Sequence, residues 1–434
     1  MTRPARSGFQ PVRLRYLSLL PGLCLLLTAC SADSGSSSEA GHGFRTFEED
    51  GITISESSGG PKYEGDIFTF EELFELDQDE SRPESFLHVN SGYVMDEDGL
   101  IFVFDSADGR VVVFDQNGKY LRDFGRKGAG PGEFNSVWYQ WIKDGVFAIY
   151  DPAQFRASTI TAGGQLLDTF TRPGYSNIYY FTPVRRSLRS IYPLPDGRMV
   201  QIIREQKEYG TPDEAFRTTA VLVSSEGDSL RSFNTEWMVT PRTPARGGRL
   251  IYHQKMYYAD PALQADLDRG ILIADPREPI VRRYDLDGNL SRILRLGLDP
   301  EPVTREEKDA FERSYRERIQ NAEGQERERL VVVWQQMVIP DHKPYWRTIL
   351  VDDQGYYWLR NLYDWTLPTE VMIRVYSYKV FSPEGEYLGS ATWPTGNTSS
   401  ITRGHLLGRK MDEDFGGWRH FVYRITPTVE GLEY

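Results

Sequence analysis

Cysteine is scarce in this 434-residue sequence, and the scarcity limits the chemistry available to it. The only two cysteines, Cys24 and Cys30, lie within or directly after an apolar N-terminal run. We therefore expect the rest of the chain to have neither a disulfide nor a thiolate metal site, so that packing and hydrogen bonds must stabilise it. No cofactor is expected.

Basic residues are outnumbered, with 50 Lys and Arg against 63 Asp and Glu, a net charge of −13. Four arginines fall in the first 29 residues, which contain no acid, so the remainder carries 46 basic residues (50 − 4) and a net charge of −17 (46 − 63). Such a charge repels phosphate backbones. We expect no nucleic-acid partner.

Long apolar runs are also missing, since Leu17–Thr28 is too short to cross a bilayer. Because this run follows an arginine-rich start, it predicts a signal peptide over residues 1–29. The signal ends in Leu27-Thr28-Ala29-Cys30, which resembles the bacterial lipobox. That resemblance implies a lipid on Cys30 that anchors the protein to a membrane. The alternative is an ordinary signal followed by a chance cysteine.

Residues 30–43 are predicted to be the lipidated cysteine and a flexible tether rich in Ser, Gly, Ala and Glu. Ser31 follows the cysteine where an Asp would favour retention, so an outer-membrane destination is favoured if enterobacterial sorting rules apply. The predicted location is the cell envelope, at the outer membrane or another membrane facing the periplasm.

Short strand-like runs separated by Asp, Asn and Gly turns fill the rest of the chain. The pattern recurs five times, with the first turn glycine of each unit at Gly99, Gly145, Gly197, Gly270 and Gly355. The second turn glycines follow at Gly118, Gly164, Gly227, Gly288 and Gly385. A fourth run follows each second turn. Four strands repeated about every 40 to 60 residues indicate the blades of a β-propeller.

The run FVFDSADGRVVVFDQNGKYLRDFGRKGAGPGEF resembles an NHL-type repeat of the six-bladed β-propellers of bacterial envelope proteins. The Asp-to-Arg spacing of five occurs at Asp105–Arg110 and Asp151–Arg156, and it fails in blade four, where Ile280 takes the place of the arginine. The resemblance covers residues 44–434 and is specific only in the first two blades. It implies an all-β, six-bladed propeller.

Two features at the ends of blades complete the predicted architecture. The last unit offers only three strands, so we expect the strand at 51–55 to close blade six and leave no open sheet edge. A capping box at Thr304–Glu307, followed by an apolar stripe, predicts a helical hairpin over 304–338 between blades four and five. The hairpin either braces the ring or serves as a lid or partner-docking arm, and exposed apolar residues would favour the docking arm.

Two motifs are interpreted as structural. The glycine-rich loop 125–132 lacks the Gly-Lys-Ser/Thr ending of a phosphate-binding loop and falls where one blade crosses to the next. The Asp105–Arg110 and Asp151–Arg156 pairs repeat at one blade position, whereas catalytic sets are asymmetric. We interpret them as ion pairs or turn clamps.

Binding is the favoured function, because the predicted interblade loops are rich in arginine and aromatic residues, which recognition sites favour. On so acidic a chain, arginines gathered on one rim indicate an anionic ligand; the alternative is that the aromatics wedge adjacent blades. The candidate residues are Arg126, Lys127, Trp138, Tyr139, Arg185, Arg186, Arg189, Tyr252, His253, Tyr345, Trp346 and Arg347.

The sequence thus predicts a lipid-anchored envelope propeller that binds a small anionic ligand or an envelope protein, and an enzymatic role is not favoured. The alternative is a metal-dependent hydrolase or lyase at the central tunnel, because such enzymes gather ligands from several blades. Its candidate metal ligands are His88, His253 and His405.

Overall fold

A computed structural model describes residues 42–434, all within one compact unit, Ala40–Tyr434. The predicted signal peptide, Cys30 and almost all of the tether lie outside the described residues. Short gaps in the description fall at 78–86, 88–89, 144, 152, 155, 172–183, 195, 197, 209–213, 226–227, 240–241, 245–249, 253–255, 258, 260, 267–268, 368–375, 396 and 413–416.

Six antiparallel sheets form the ring, and the protein is a six-bladed β-propeller. Blade one consists of β4 (Asn90–Met95), β5 (Ile101–Asp105), β6 (Arg110–Phe114) and β7 (Tyr120–Gly125). Blade two consists of β8 (Trp138–Lys143), β9 (Val146–Asp151), β10 (Arg156–Thr161) and β11 (Leu166–Thr171). Blade three consists of β12 (Val184–Pro193), β13 (Met199–Lys207), β14 (Ala215–Val223) and β15 (Ser229–Asn234), with the short β16 (Met238–Val239) beside β14.

The other three blades follow the same plan. Blade four consists of β19 (Ala262–Asp266), β20 (Gly270–Ala274), β21 (Ile280–Tyr284) and β22 (Leu290–Arg295), and a two-stranded ribbon of β17 (Arg242–Pro244) and β18 (Leu250–Tyr252) precedes it. Blade five consists of β23 (Thr348–Val351), β24 (Tyr357–Arg360), β25 (Tyr376–Phe381) and β26 (Tyr387–Trp393). Blade six contains β27 (Asn397–Thr402), β28 (His405–Asp412) and β29 (Gly417–Pro427).

The first strand of each blade is the innermost, since β4 contacts both β8 and β27 from the neighbouring blades. The middle strands β5 and β6 are buried along their whole length because adjacent blades cover both of their faces. The outer strand β7 instead alternates between half-buried and exposed residues. This difference in burial explains why the sequences of the middle strands are continuous apolar runs, whereas the fourth strand has the weakest strand pattern in the sequence.

Glycine permits the tight turns that the repeat predicted. Gly118 and Gly164, in the second turns of blades one and two, have φ values of +79° and +88°, in the region that side chains with a Cβ rarely adopt. These turns set the register of the third and fourth strands in each blade.

The N-terminal segment wraps the outside of three blades. Strands β1 (Gly43–Glu49) and β2 (Ile52–Ser58) form a hairpin, and β2 pairs in parallel with β22 of blade four. The segment then hydrogen-bonds along β26 of blade five, and β3 (Phe68–Glu75) pairs with β29. Blade six is therefore closed by β3.

The prediction that 51–55 closes blade six was wrong in its choice of strand. A strand from the N-terminal side does close the ring, but β3 has the complementary side chains. Its acids pair with the basic face of blade six, as Glu71 does with Arg424 at 2.9 Å and Glu75 with Arg419 at 2.6 Å. Phe68 packs into the core of blades five and six. The β2 strand has a single acid, Glu56, which pairs with Arg45 and with Arg295 of blade four, and it has no aromatic residue.

Two helices, α1 (Arg305–Asn321) and α2 (Gly324–Gln335), lie between β22 and β23. The Thr304 side chain caps α1, and the Glu307 side chain returns the bond in a capping box. Phe311 and Tyr315 of α1 pack with Tyr257 and Trp365 of the ring, and neither helix has an exposed large apolar side chain. The two helices pack against the ring, and Val338, the last residue of the predicted hairpin, is 44 % exposed. No helix in the described part of the chain has the length and hydropathy to cross a membrane.

Candidate functional site

Polar side chains concentrate at the rim where the chain passes from one blade to the next, which we call the crossover rim. Here the first and third strands of each blade begin, and the second and fourth strands end. An acid at the end of the second strand therefore faces the start of the third strand across one pair of the ladder, as Asp105 faces Arg110.

In blade one the arginine is surrounded by carboxylates. Arg110 lies 2.7 Å from Asp123 and 3.6 Å from both Asp105 and Asp108. Asp105 is fully buried, and its carboxylate also accepts the Ala107 amide at 3.2 Å. This geometry agrees with the interpretation of a structural clamp.

In blade two the arginine of the repeated Asp-to-Arg spacing holds the glycine-rich loop. Arg156 donates to the carbonyls of Ala129 and Gly130 at 2.9 and 3.0 Å, and Asp151 accepts the Asn135 amide at 2.7 Å. The loop is an interblade turn.

Two predicted binding residues belong to that turn. Arg126 donates to Glu133 at 2.7 Å, and Lys127 donates to the carbonyl of Ala107 at 3.1 Å. Both side chains are thus engaged within the turn or with the neighbouring blade, so their positions favour a structural role.

Blade three places two arginines around one carboxylate. Glu205 is 4 % exposed and accepts from Arg186 at 2.8 Å and from Arg217 at 2.6 Å, while the Thr219 hydroxyl donates at 3.0 Å. Burial alone would raise the pKa of Glu205, but the hydrogen bonds and charges of the arginines outweigh it and lower the pKa. The predicted binding residue Arg186 is therefore paired internally.

Blade five also has two arginines, and they face aromatic rings. Arg347 lies directly before β23 and its guanidinium carbon is 4.0 Å from the centroid of the Tyr363 ring. Arg360 ends β24 and lies 3.3 Å from the centroid of Tyr376 and 5.7 Å from that of Tyr363. The two residues are adjacent, since the Arg347 amide donates to the Arg360 carbonyl at 2.8 Å.

Each of these guanidinium groups keeps one unpaired nitrogen within the described part of the chain. Nη1 of Arg347 and Nη2 of Arg360 are buried and have no hydrogen-bond acceptor there, and neither side chain forms an ion pair with a described residue. Burial raises the pKa of Tyr363, yet hydrogen bonding to and the charge of both arginines outweigh this and lower it. Blade five therefore presents concentrated positive charge with unused donors.

The helical hairpin supports this cluster from one side. Trp365 packs edge-on against Phe311 of α1 at 4.6 Å and against Tyr363 at 6.2 Å between ring centroids. Glu307 of the capping box accepts from Tyr257 at 2.9 Å and pairs with Lys343 at 2.7 Å. Through Trp365, the helical hairpin therefore contacts the aromatic ring of Tyr363, which lies against both arginines.

The other predicted residues do not join one site among the described residues. Trp346 is 1 % exposed and packs between blades four and five, so it is a wedge, and Tyr345 is half-buried beside it. Arg189 is exposed and makes an interaction of its own. Backbone alone is described for Trp138 and Tyr139 of β8, Arg185 of β12 and Tyr252 of β18.

The predicted histidine metal site is mostly outside the described residues, as His88 and His253 both are. The ring of His405 contacts the carbonyl of Arg403 at 2.8 Å. Within the described ranges, no three His, Cys, Asp or Glu side chains are grouped in a way that could hold a metal ion.

Sequence reasoning found Arg347 and missed Arg360, Tyr363 and Tyr376. A signal was available, because the register of the first two strands places Arg360 of blade five at the position that Phe104 has in blade one. Aligning the blades on the first turn would have revealed a charged residue where blade one has a buried aromatic one. The contact of both guanidinium groups with the ring of Tyr363 depends on how the chain turns after β24, which cannot be read from spacing.

The fold and rim define this protein as a six-bladed propeller. A family model described as a 6-bladed beta-propeller matches residues 82–155, which span blade one and the first two strands of blade two. No curated protein sequence matches the chain.

Among solved structures, the chain is similar to a Bacteroides fragilis protein described as exported, with 12% identity, a TM-score of 0.46, and coverage of 87% of this chain and 100% of that one. It is also similar to virginiamycin B lyase from Staphylococcus aureus, with 10% identity, a TM-score of 0.37, and coverage of 83% and 99%.

Proposed function

We propose that this protein is a binding module of the cell envelope that takes an anionic group of its ligand between Arg347 and Arg360. One observation carries the proposal: each guanidinium has a buried nitrogen without an acceptor in the described part of the chain. A buried donor left unpaired costs about 1–3 kcal/mol, and more when it is charged. A carboxylate or phosphate oxygen would remove that cost.

Mutual repulsion supports an anion between the two arginines. Since the guanidinium carbons lie 4.0 and 5.7 Å from one ring centroid, they are at most 9.7 Å apart (4.0 + 5.7). At an effective dielectric constant of 20, two like charges at that separation repel by about 1.7 kcal/mol. A single anion bound between the two guanidinium groups would attract both of them and offset their mutual repulsion.

The envelope location rests on the N-terminal sequence. The arginine-rich start, the short apolar run and the Leu-Thr-Ala-Cys ending fit a lipid anchor on Cys30, which would leave residues 31–41 as a tether, since His42 contacts Glu386 and Gly43 begins β1. In this arrangement the propeller would meet its ligand, or an acidic group of an envelope protein, close to a membrane surface.

The test is calorimetry on the full chain in detergent with acetate, malonate and inorganic phosphate. We expect at least one anion to bind, and we expect Arg347→Gln or Arg360→Gln to weaken it by about tenfold or more, which is about 1.4 kcal/mol. The matched control is Arg126→Gln, a rim arginine that is paired with Glu133. Absence of anion binding, or equal affinity in all three variants, would refute the proposal.

Attachment of lipid to Cys30 is tested separately by labelling cells with a radioactive fatty acid. The wild-type chain is expected to take up label and Cys30→Ala to take up none. Label on both proteins, or on neither, would remove the lipid anchor from the proposal and leave the anion site untouched.

A further inference from the structure

A second site lies on the crossover rim between blades three and four. It is a cavity of about 590 Å³, within the range of pockets that bind small molecules. Residues 234–236, at the end of the outer strand of blade three, form one wall, and residues of blade four between Ile273 and Tyr284 form the facing wall. None of the blade-five arginines lines it.

Two ion pairs fix the blade-four wall. Asp275 accepts the Nε of Arg277 at 2.8 Å and its amide at 2.9 Å, and Arg282 is paired with Glu278. Burial acts to raise the pKa of Asp275, but the bonds and charge of Arg277 outweigh it and lower the pKa. These side chains line the cavity and are held in place by their mutual bonds, so the wall is preorganised.

The blade-three wall contributes an unpaired charge. Glu236 is exposed and its carboxylate has no hydrogen bond or ion pair with any residue that the structure describes. With three acids and two arginines in the lining, the cavity has a net charge of −1 (2 − 3). It therefore favours one positive charge on a ligand, placed near Glu236.

The remaining lining fits a compact hydroxylated molecule. Each fixed Asp–Arg or Glu–Arg pair offers an acceptor beside a donor, and a hydroxyl group can satisfy both at once. Tyr284 and Pro261 add two rings against which the C–H face of a sugar could pack. A bare metal ion fits less well, because Asp275 and Glu278 are already bound to guanidinium groups.

We propose that this cavity binds a polyhydroxylated ligand bearing one amine, of the amino-sugar class, with the amine on Glu236. The site is separate from the blade-five arginines and does not depend on the function proposed for them. Because Glu236 is exposed, its charge is worth about 0.2–1 kcal/mol, so the amine should improve affinity by up to about fivefold.

The test compares glucosamine with glucose on the full chain, using saturation-transfer NMR and calorimetry. Wild-type protein should prefer glucosamine by about three- to fivefold, and Glu236→Gln should remove the preference. Glu236→Lys should reverse it in favour of glucuronate, since the added ammonium then attracts a carboxylate. The matched control is Glu430→Gln, another exposed glutamate without an ion pair, which should change nothing.

Other outcomes would overturn the inference. These are no binding of either sugar, equal binding of glucose and glucosamine to the wild type, or a preference that survives in both Glu236 variants. Arg360→Gln serves as a further control, because loss of glucosamine binding in that variant would mean that the sugar occupies the blade-five site instead. Circular dichroism verifies that each variant is folded.

Discussion

Blades three and five each place two arginines on the crossover rim, but the two pairs of arginines have different partners. In blade three, Arg186 and Arg217 converge on the buried carboxylate of Glu205. In blade five, Arg347 and Arg360 converge on the ring of Tyr363, and no described carboxylate pairs with either. The protein thus contains an internal example of the anion that the second pair lacks.

The difference shows how a repeated scaffold produces a site. A blade needs its rim polar groups satisfied, since buried charges without partners destabilise the fold. Four-stranded units meet that need with their own acids, as blades one and three do. Blade five places two arginines on the rim with no described acid paired to either, so their partner must come from outside the described part of the blade.

The largest expected effect is in blade three. Glu205→Gln removes the charge that two arginines and Thr219 share, so the free energy of unfolding should fall by about 3 kcal/mol. Urea denaturation measures it. The control Glu430→Gln should change the free energy by less than about 0.5 kcal/mol.

The pH dependence of that loss has a defined sign. The folded-state pKa of Glu205 is lowered from an ordinary value of 4.5, so its contribution is fully present above about pH 4.5 and disappears as the pH falls through the folded-state pKa. The gap between wild type and Glu205→Gln should narrow on acidification below that value. If the difference in unfolding free energy did not change with pH, the loss of stability in Glu205→Gln would not be due to the carboxylate charge.

A smaller effect follows from giving blade five its own acid. Tyr363→Glu places a carboxylate where both arginines can reach it, as Glu205 does in blade three. Binding of the anion identified by calorimetry should weaken about tenfold, or about 1.4 kcal/mol, because the internal group competes for the same donors. Tyr363→Phe keeps the ring and provides the control. If the affinity of Tyr363→Glu for the anion were unchanged, the arginines of blade five would not act on an anion as those of blade three act on Glu205.

A smaller effect again is expected from removing one arginine in the absence of ligand. Arg360→Gln relieves repulsion with Arg347 and loses the contact with the ring of Tyr376, so the free energy of unfolding should change by less than about 1 kcal/mol. Arg217→Gln is the matched variant in blade three and should destabilise by about 2 kcal/mol, since it leaves Glu205 short of a partner. Equal losses in the two variants would mean that Arg360 is structurally paired.

The repeat, its turns and the hairpin were predictable because each has a local cause. Glycines with positive φ, such as Gly118, and the capping box at Thr304 act through neighbours in sequence. Closure of blade six was predicted in kind but assigned to 51–55, because strand choice depends on pairing between Glu71 of β3 and Arg424, about 350 residues apart in sequence. Charge complementarity over that distance is not visible in a local pattern.

The candidate site was only partly predictable for the same reason. Composition identified arginine and aromatic residues on the rim, but it could not separate Trp346, a buried wedge, from Arg347, which has a free donor. Nor could it show that Arg126 and Arg186 have partners of their own. Which arginines lack partners is decided only when the rim is assembled. From the sequence alone, one can only compare equivalent positions among the blades.

The smallest expected effect is a change in the ionisation of Tyr363. Burial favours its neutral form, but the two guanidinium groups favour the phenolate more strongly and lower its pKa. Removing one of them by Arg360→Gln should therefore raise the pKa, measured by NMR of ring-labelled tyrosine with Tyr363→Phe to assign the signal. Tyr356, whose pKa burial raises and which lies away from these arginines, provides the internal reference. A bound anion should raise the pKa of Tyr363 in the wild type as well, because it neutralises the same charge. If the variant raises the pKa and the anion does not, the anion occupies some other part of the rim.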